Sequence, residues 1–277
     1  MSTSIDQSFI KDYVADVHEA FQQRGSRLLA TVRRKPNVKG STTTFQKVGK
    51  GTATTKARHG KVTPMNQDHT PVSCTLADFY AGDYVDKLDE AKTNIDERMT
   101  VANAGAWALG RKADNQILTV MDATTTVVSG HVILTRNKLL ETVENLDSND
   151  VPDDGNRWGL LTPRAWSAAL TISEFANGDY VGDDLPFRNR NLVREWLGVK
   201  WMKHTGLPGV AGATAKCFAY HGSAIGYASG ADITADIWWN GERAAHFVNH
   251  MMSGGACLID VQGVIELQHD DTAAIPS

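Results

Sequence analysis

Four features of the 277-residue chain carry residue types that chemistry can use. Gly49-Lys50-Gly51-Thr52 has the glycines and lysine of a phosphate-binding loop, in which backbone N–H groups cradle phosphate oxygens and the lysine neutralises them. That motif needs glycine where Thr44 stands and Ser or Thr directly after Lys50, where Gly51 stands, so the fragment reads as a glycine-rich turn. Glu242, His246 and His250 recur every four residues. On a helix they would form a metal-binding face, whereas on a strand they share a face but lie about 13 Å apart from one to the next. AAHFVNHMM reads as a strand, so the three are taken as polar side chains of a sheet. Cys74, Cys217 and Cys257 have an odd count and no CxxC spacing, which indicates neither a disulfide framework nor a zinc site, and they read as small buried side chains. GxSxG, HExxH and GxGxxG are absent. No catalytic residue, cofactor or metal is assigned. An enzyme with an unfamiliar active site stays as one alternative, and the seven tryptophans read as packing and interface anchors.

The elements around these fragments follow from periodicity. Ile10, Val14, Val17 and Phe21 are spaced for a short amphipathic helix. From Thr31 to Pro71 the chain turns to Thr, Gly and Lys in alternating runs such as TTTFQKV, which predicts a long exposed β-hairpin. Two strands alone are marginal in water, so this arm needs something to lie upon. Val85, Leu88, Ile95, Met99, Ala102, Ala106, Leu109, Ala113 and Ile117 predict one long helix from Asp83 to about Met121, with Gly105 and Gly110 as sites for a bend. Such a helix would run roughly 60 Å, against a diameter of about 50 Å for a compact globule of this length, and so predicts an elongated or flat molecule. Further on come a strand at Thr124 to Val128 and a helix capped by Thr135 with Leu139, Leu140, Val143 and Leu146 on one face. A turn, a buried strand at RWGLLTP and a helix from Pro163 through Phe175 follow. A helix from Arg190 to Gly198, a strand at VKWMKHT and antiparallel strands over the last sixty residues complete the reading. The mixture lacks a regular βαβ rhythm, so the fold class is α+β.

Charge is unevenly placed. Residues 31–67 hold nine basic residues (Arg33, Arg34, Lys35, Lys39, Lys47, Lys50, Lys56, Arg58 and Lys61) and no Asp or Glu. Taking those nine from 28 leaves 19 basic against 32 acidic residues elsewhere, so a segment at +9 sits on a body at −13. Such asymmetry points to a polyanion or an acidic partner surface. No stretch approaches the ~20 apolar residues that cross a bilayer, and MSTSIDQSF lacks the form of a signal peptide. The expectation is a soluble protein made in the cytosol without a membrane partner.

The order of these elements resembles the major capsid proteins of tailed double-stranded DNA bacteriophages, with the Hong Kong 97-type fold. Three stretches carry the likeness: NDVPDDGNRWGLLTPRAWSAAL, LVREWLGVKWMKHTGLP and SGGACLIDVQGVIEL. The resemblance implies an N-terminal arm at 1–30, an extended loop at 31–75, a peripheral domain with a spine helix at 76–130, an axial domain at 131–230 and return strands of the peripheral domain at 231–277. It also implies a structural protein that self-assembles, through hexamers and pentamers, into an icosahedral shell enclosing phage DNA. The partners implied are further copies of the chain, a portal protein, a separate scaffolding protein and loosely held, non-specific DNA. The place implied is the virion capsid, assembled in the bacterial host cytoplasm. Some relatives cross-link through Lys and Asn, but nothing in the sequence identifies an acceptor, and no cross-link is assigned.

Within that frame the basic loop is expected to lie across a neighbouring copy. The contact is assigned to Arg33, Arg34, Lys47, Lys50, Lys56, Arg58 and Lys61 on one side and to Asp83, Asp86, Asp89, Glu90, Asp96 and Glu97 at the start of the spine helix on the other. The alternative use of the 31–67 segment is nucleic-acid binding. Only Phe45 and His59 interleave with its cations as stacking groups, and the −13 body would repel a duplex.

Overall fold

The chain alternates between two units, and the computed structural model describes its residues 22–88, 97–176 and 193–275. The helix expected over Ile10 to Phe21 lies outside the described residues. The larger unit comprises Arg27–Ala77, Ala113–Gly230 and Gly254–Ser277; the smaller takes the described residues up to Ser26 with Asp78–Lys112 and Ala231–Ser253. In chain order the elements are β1 (Arg33–Lys35), β2 (Thr42–Val48), β3 (His69–Thr75), β4 (Ala77–Asp86), α1 (Glu97–Met121), β5 (Thr126–Val128), α2 (Arg136–Ser148), β6 (Arg157–Leu161), α3 (Pro163–Ala169), α4 (Ser173–Ala176), β7 (Val193–Trp196), β8 (Val199–Lys203), β9 (Ala215–His221), β10 (Ile225–Asn240), β11 (Ala245–Leu258) and β12 (Val264–His269). The class is α+β, as the sequence predicts.

The larger unit is organised by a six-stranded mixed sheet in the order β5-β12-β9-β6-β8-β7. Its central strands are nearly continuous apolar runs because both faces are covered. Leu139 and Leu146 of α2 and Ala165 and Trp166 of α3 pack with Leu161, Trp201, Cys217, Ala219, Ile265 and Leu267. Thr135 and Thr162 cap their helices by accepting hydrogen bonds from Lys138 N and Ala165 N, and Pro163 supplies the preset first turn of α3. On β6, Gly159 stands opposite Trp201 of β8, and a Cβ there would come 2.1 Å from the indole ring. Lys138 is buried; its ammonium donates to Gln268 O at 2.6 Å and to Gly130 O, tying the start of α2 to β12. Burial pulls its pKa down. The C-terminal part of α1 buries Ala113, Ile117, Leu118 and Met121. Asp114, also buried, accepts from the backbone N–H of Arg27 (3.0 Å) and Leu28 (3.1 Å), which fixes the incoming chain.

Several expectations need correction. VREW is a strand: β7 and β8 form a hairpin whose two turn residues, Leu197 (φ 51°) and Gly198 (φ 70°), are both left-handed. Two successive positive φ angles make the turn that suits a two-residue hairpin, and the Gly198 read as a helix end is its pivot. Asp83–Asp86 lie at the end of β4, where Phe79, Tyr80, Tyr84 and Val85 favour extended structure; helix starts only at Lys87 and Leu88, and α1 runs from Glu97. Arg33 and Arg34 belong to β1, which pairs in parallel with Gly226–Ala228 of β10 rather than with the hairpin. Leu140 is exposed, with Thr142 taking the inward place. The helix from Pro163 stops at Ala169, where Thr171 bonds back to Ala168 O (2.7 Å), and a separate short helix carries Phe175. The return strands also divide: residues 231–253 belong to the smaller unit, whereas β12 is interior to the six-stranded sheet.

Within the smaller unit, Gly105 and Gly110 serve close contact. A Cβ at Gly105 would meet the His250 ring at 2.5 Å, and one at Gly110 would meet the Gly25 backbone at 2.6 Å. Arg111 reinforces the second contact by donating to Gln22 Oε1 (2.8 Å) and Gln23 O (3.1 Å). Residues 22–25 are therefore laid along α1.

Gly159→Ala is expected to lower stability by about 1–3 kcal/mol, the cost of forcing a methyl into a filled core. A urea titration checks this through a lower midpoint at unchanged slope.

Candidate subunit interface

The basic loop has a buried base and a bare tip. β2 and β3 pair antiparallel from Thr42↔Thr75 to Val48↔His69. Alternation along the two strands turns Phe45 and Cys74 inward, where they join Ala228, Cys257 and Ile259 in a small apolar cluster flanked by Val38, Val72 and Leu76. The Arg33 guanidinium lies 5.7 Å over the Phe45 ring, and Lys35 Nζ donates to Thr43 Oγ1 at 2.7 Å. Gly49 N bonds Asp68 O at 2.8 Å beyond the last paired residues. From there the strands part, and every residue from Gly51 to Pro71 is exposed. The long hairpin is thus a seven-residue ladder carrying an unladdered loop. Val62 is 72% exposed and Met65 is also exposed, so the tip presents apolar side chains among its cations.

The sequence-predicted basic residues fall into three groups. Lys47 and Lys50 have partners in their own chain: Lys47 Nζ meets Asp260 Oδ1 at 2.8 Å, and Lys50 pairs with Asp150. Both pairs are solvent-accessible, so each contributes about 0–1 kcal/mol and is screened by salt. The hydrogen bond from Lys50 draws the Asp150 pKa below its ordinary value. That tether is therefore present at neutral pH and lost as pH falls through the lowered value. Lys56 donates to Gly60 O at 3.3 Å within the tip, and Arg58 and Lys61 stand exposed beside it. Arg33 and Arg34 remain at the base on β1. Among the predicted acids, Asp83 and Asp86 lie on β4, Asp89, Glu90 and Asp96 fall outside the described residues, and Glu97 opens α1.

A better-formed acidic surface lies on the smaller unit's sheet, where β11 stands between β10 and β4. Asp78 and Asp83 of β4 and Asp232 and Asp236 of β10 are exposed. By strand alternation Tyr80 (68% exposed), Tyr84 and Trp238 share a face with Asp78, Asp232 and Asp236, whereas Asp83, Ile233, Ile237 and Trp239 lie on the opposite face. The rings are ordered by one another: Phe247 of β11 meets Tyr84 at 4.5 Å and Trp238 at 4.9 Å, while Trp239 meets His246 at 5.0 Å. Arg243 lies 4.5 Å over Tyr84 and Lys87 lies 5.7 Å over Trp239. Asp78, Asp232 and Asp236 are not among the acids that the sequence predicts for the contact. Their signal was there in ADITADIWWN, where two acids four apart share a strand face, but nothing local says that β10 stays uncovered. His246 and His250 are absorbed by ring packing and by the contact with Gly105.

A family model described as phage capsid protein matches residues 5–271. The chain belongs to the phage capsid protein family. Solved structures share the fold of this capsid protein. A chain from Mycobacterium phage Che8 is 17% identical with a TM-score of 0.73, the match covering 96% of this chain and 98% of that one. The capsid of cyanophage P-SCSP1u is 16% identical with a TM-score of 0.73, covering 97% and 95%. The capsid of Ralstonia phage GP4 is 10% identical with a TM-score of 0.70, covering all of both chains. A comparison with curated proteins finds no match. At such identities the likeness is one of fold, and the fold is the Hong Kong 97 type expected from the sequence. The capsid protein is a structural component of the phage shell, and its surfaces are to be judged by what they hold together.

Phe45→Ala removes the ring that holds the loop base on the body. The expected cost is about 3–5 kcal/mol, read by urea denaturation, together with faster proteolytic cleavage between Gly51 and Pro71.

Proposed function

We propose that this is the major capsid protein of a tailed phage, many copies of which close into an icosahedral shell around double-stranded DNA. The observation that carries the reading is the loop: residues 51–67 are all exposed and pair with no strand among the described residues. An arm of that kind gains its stability from a second copy. In this reading the tip, with Lys56, Arg58, Lys61, Val62 and Met65, lies across the acidic and aromatic β4-β10-β11 sheet of the neighbouring subunit. Burial of apolar side chains supplies most of the adhesion, and the charges set orientation, since exposed pairs contribute little each. Lys47 and Lys50, already paired at home, hold the base of the loop on course.

The smaller unit then serves as the peripheral domain, and the six-stranded sheet with α2 and α3 as the axial domain, around which hexamers and pentamers form. A separate scaffolding protein and a portal protein complete assembly in the host cytoplasm. The −13 body tolerates packed DNA with loose, non-specific contact.

Changing Lys56, Arg58 and Lys61 together to Glu is expected to abolish closed shells in electron micrographs and in light scattering, while circular dichroism and the unfolding midpoint stay as in the parent. Shells of normal size and yield would overturn the subunit contact. Normal shells combined with loss of salt-sensitive duplex binding would assign the loop to DNA instead.

A further inference from the structure

Two of the three cysteines, far apart in sequence, meet at the base of the loop. Cys74 on β3 is fully buried and Cys257 near the end of β11 is 7% exposed; both belong to the apolar cluster around Phe45. Cys74 Sγ donates to Gly255 O at 3.3 Å, two residues from Cys257, and the two thiols share the same buried cluster. The backbones are brought this close by a glycine: a Cβ on Gly255 would fall 2.0 Å from Thr75 O. That approach sets the backbone around Cys74 directly against the backbone around Cys257. Cys217 is different, being fully buried with no thiol beside it, and burial pushes its pKa up to about 12.

We propose that Cys74 and Cys257 are a redox pair that closes to an intrachain disulfide in the presence of a peroxide and so staples the base of the extended loop to the return strand. The reaction balances in two steps. The Cys74 sulfur attacks one peroxide oxygen and the O–O bond breaks; the departing hydroxide takes up the thiol proton as water and leaves a sulfenic acid. The Cys257 sulfur then attacks the Cys74 sulfur, forming the S–S bond and expelling the sulfenic oxygen, which leaves as water with the Cys257 proton. Each sulfur gives up one electron, and the peroxide accepts both. The contact between the two thiols lowers the Cys74 pKa, and that contact together with burial raises that of Cys257, so the pair titrates as a unit. In a reducing cytosol both stay thiols, and an oxidising exterior closes the bond. The link would span most of the chain between β3 and β11, a long loop to constrain in the unfolded state.

The test uses the whole protein, reduced, desalted and exposed to hydrogen peroxide. The expected result is a loss of about 2 Da in intact mass, a non-reducible-by-dilution intrachain peptide pair containing Cys74 and Cys257, and an unfolding midpoint raised by about 5–10 °C that returns to its starting value with dithiothreitol. Cys217 remains alkylatable after unfolding. Cys74→Ser and Cys257→Ser should each abolish the mass loss; the peptide map of the parent chain needs no variant to fold. Oxygen addition without the 2 Da loss, a link through Cys217 or a link between chains would overturn the proposal.

Discussion

A two-stranded arm buries too little apolar surface to hold itself together in water, and this constraint governs the arrangement of the chain. The arm's ladder survives because one face of its root is folded into the body. Phe45 and Cys74 turn inward onto Ala228, Cys257 and Ile259, and β1 lies beside the root, paired with β10. Beyond Val48 no comparable apolar cluster exists among the described residues, and the exposed stretch from Gly51 to Pro71 begins at that limit. The loop is thus packed into the body at its root and exposed at its tip.

Charge is arranged consistently with this division. Lysines at the root are matched within the chain, Lys47 by Asp260 and Lys50 by Asp150. Cations at the tip stand without carboxylate partners among the described residues, while carboxylates of β4 and β10 stand among exposed aromatic rings. Exposed ion pairs are weak and salt-sensitive, so complementary charges of this kind steer and orient more than they bind. The apolar side chains interspersed on both surfaces supply the area whose removal from water provides free energy.

Much of the fold was legible in the chain itself. The Thr135 and Thr162 caps, the helix through Leu109, Ala113 and Ile117, the buried strand RWGLL and the closing antiparallel strands all follow from local chemistry, and the structure has them. The misreadings share one cause. VREW has four residues, too few for periodicity to separate strand from helix, and its pairing with β8 decides the matter. Asp83 and Asp86 continue the helical spacing of the residues after them, yet the sheet edge offered by β11 draws them into β4. Arg33 and Arg34 look continuous with the hairpin in composition, but Asn37 and Gly40, both at positive φ, turn the chain between β1 and β2.

Sequence alone determined the α+β class, the family likeness and the +9 segment on a −13 body. These depend on composition and spacing, both of them local or additive properties. Tertiary structure decided which charges remain available, which acids gather beside exposed rings, and that Cys74 and Cys257 share one buried cluster while Cys217 lies in another. Those outcomes depend on register and on close approach at glycines such as Gly255 and Gly159, where a single methyl group would prevent the contact. Contacts between distant segments are set by the packing of the whole chain, and no window of sequence contains both sides of them.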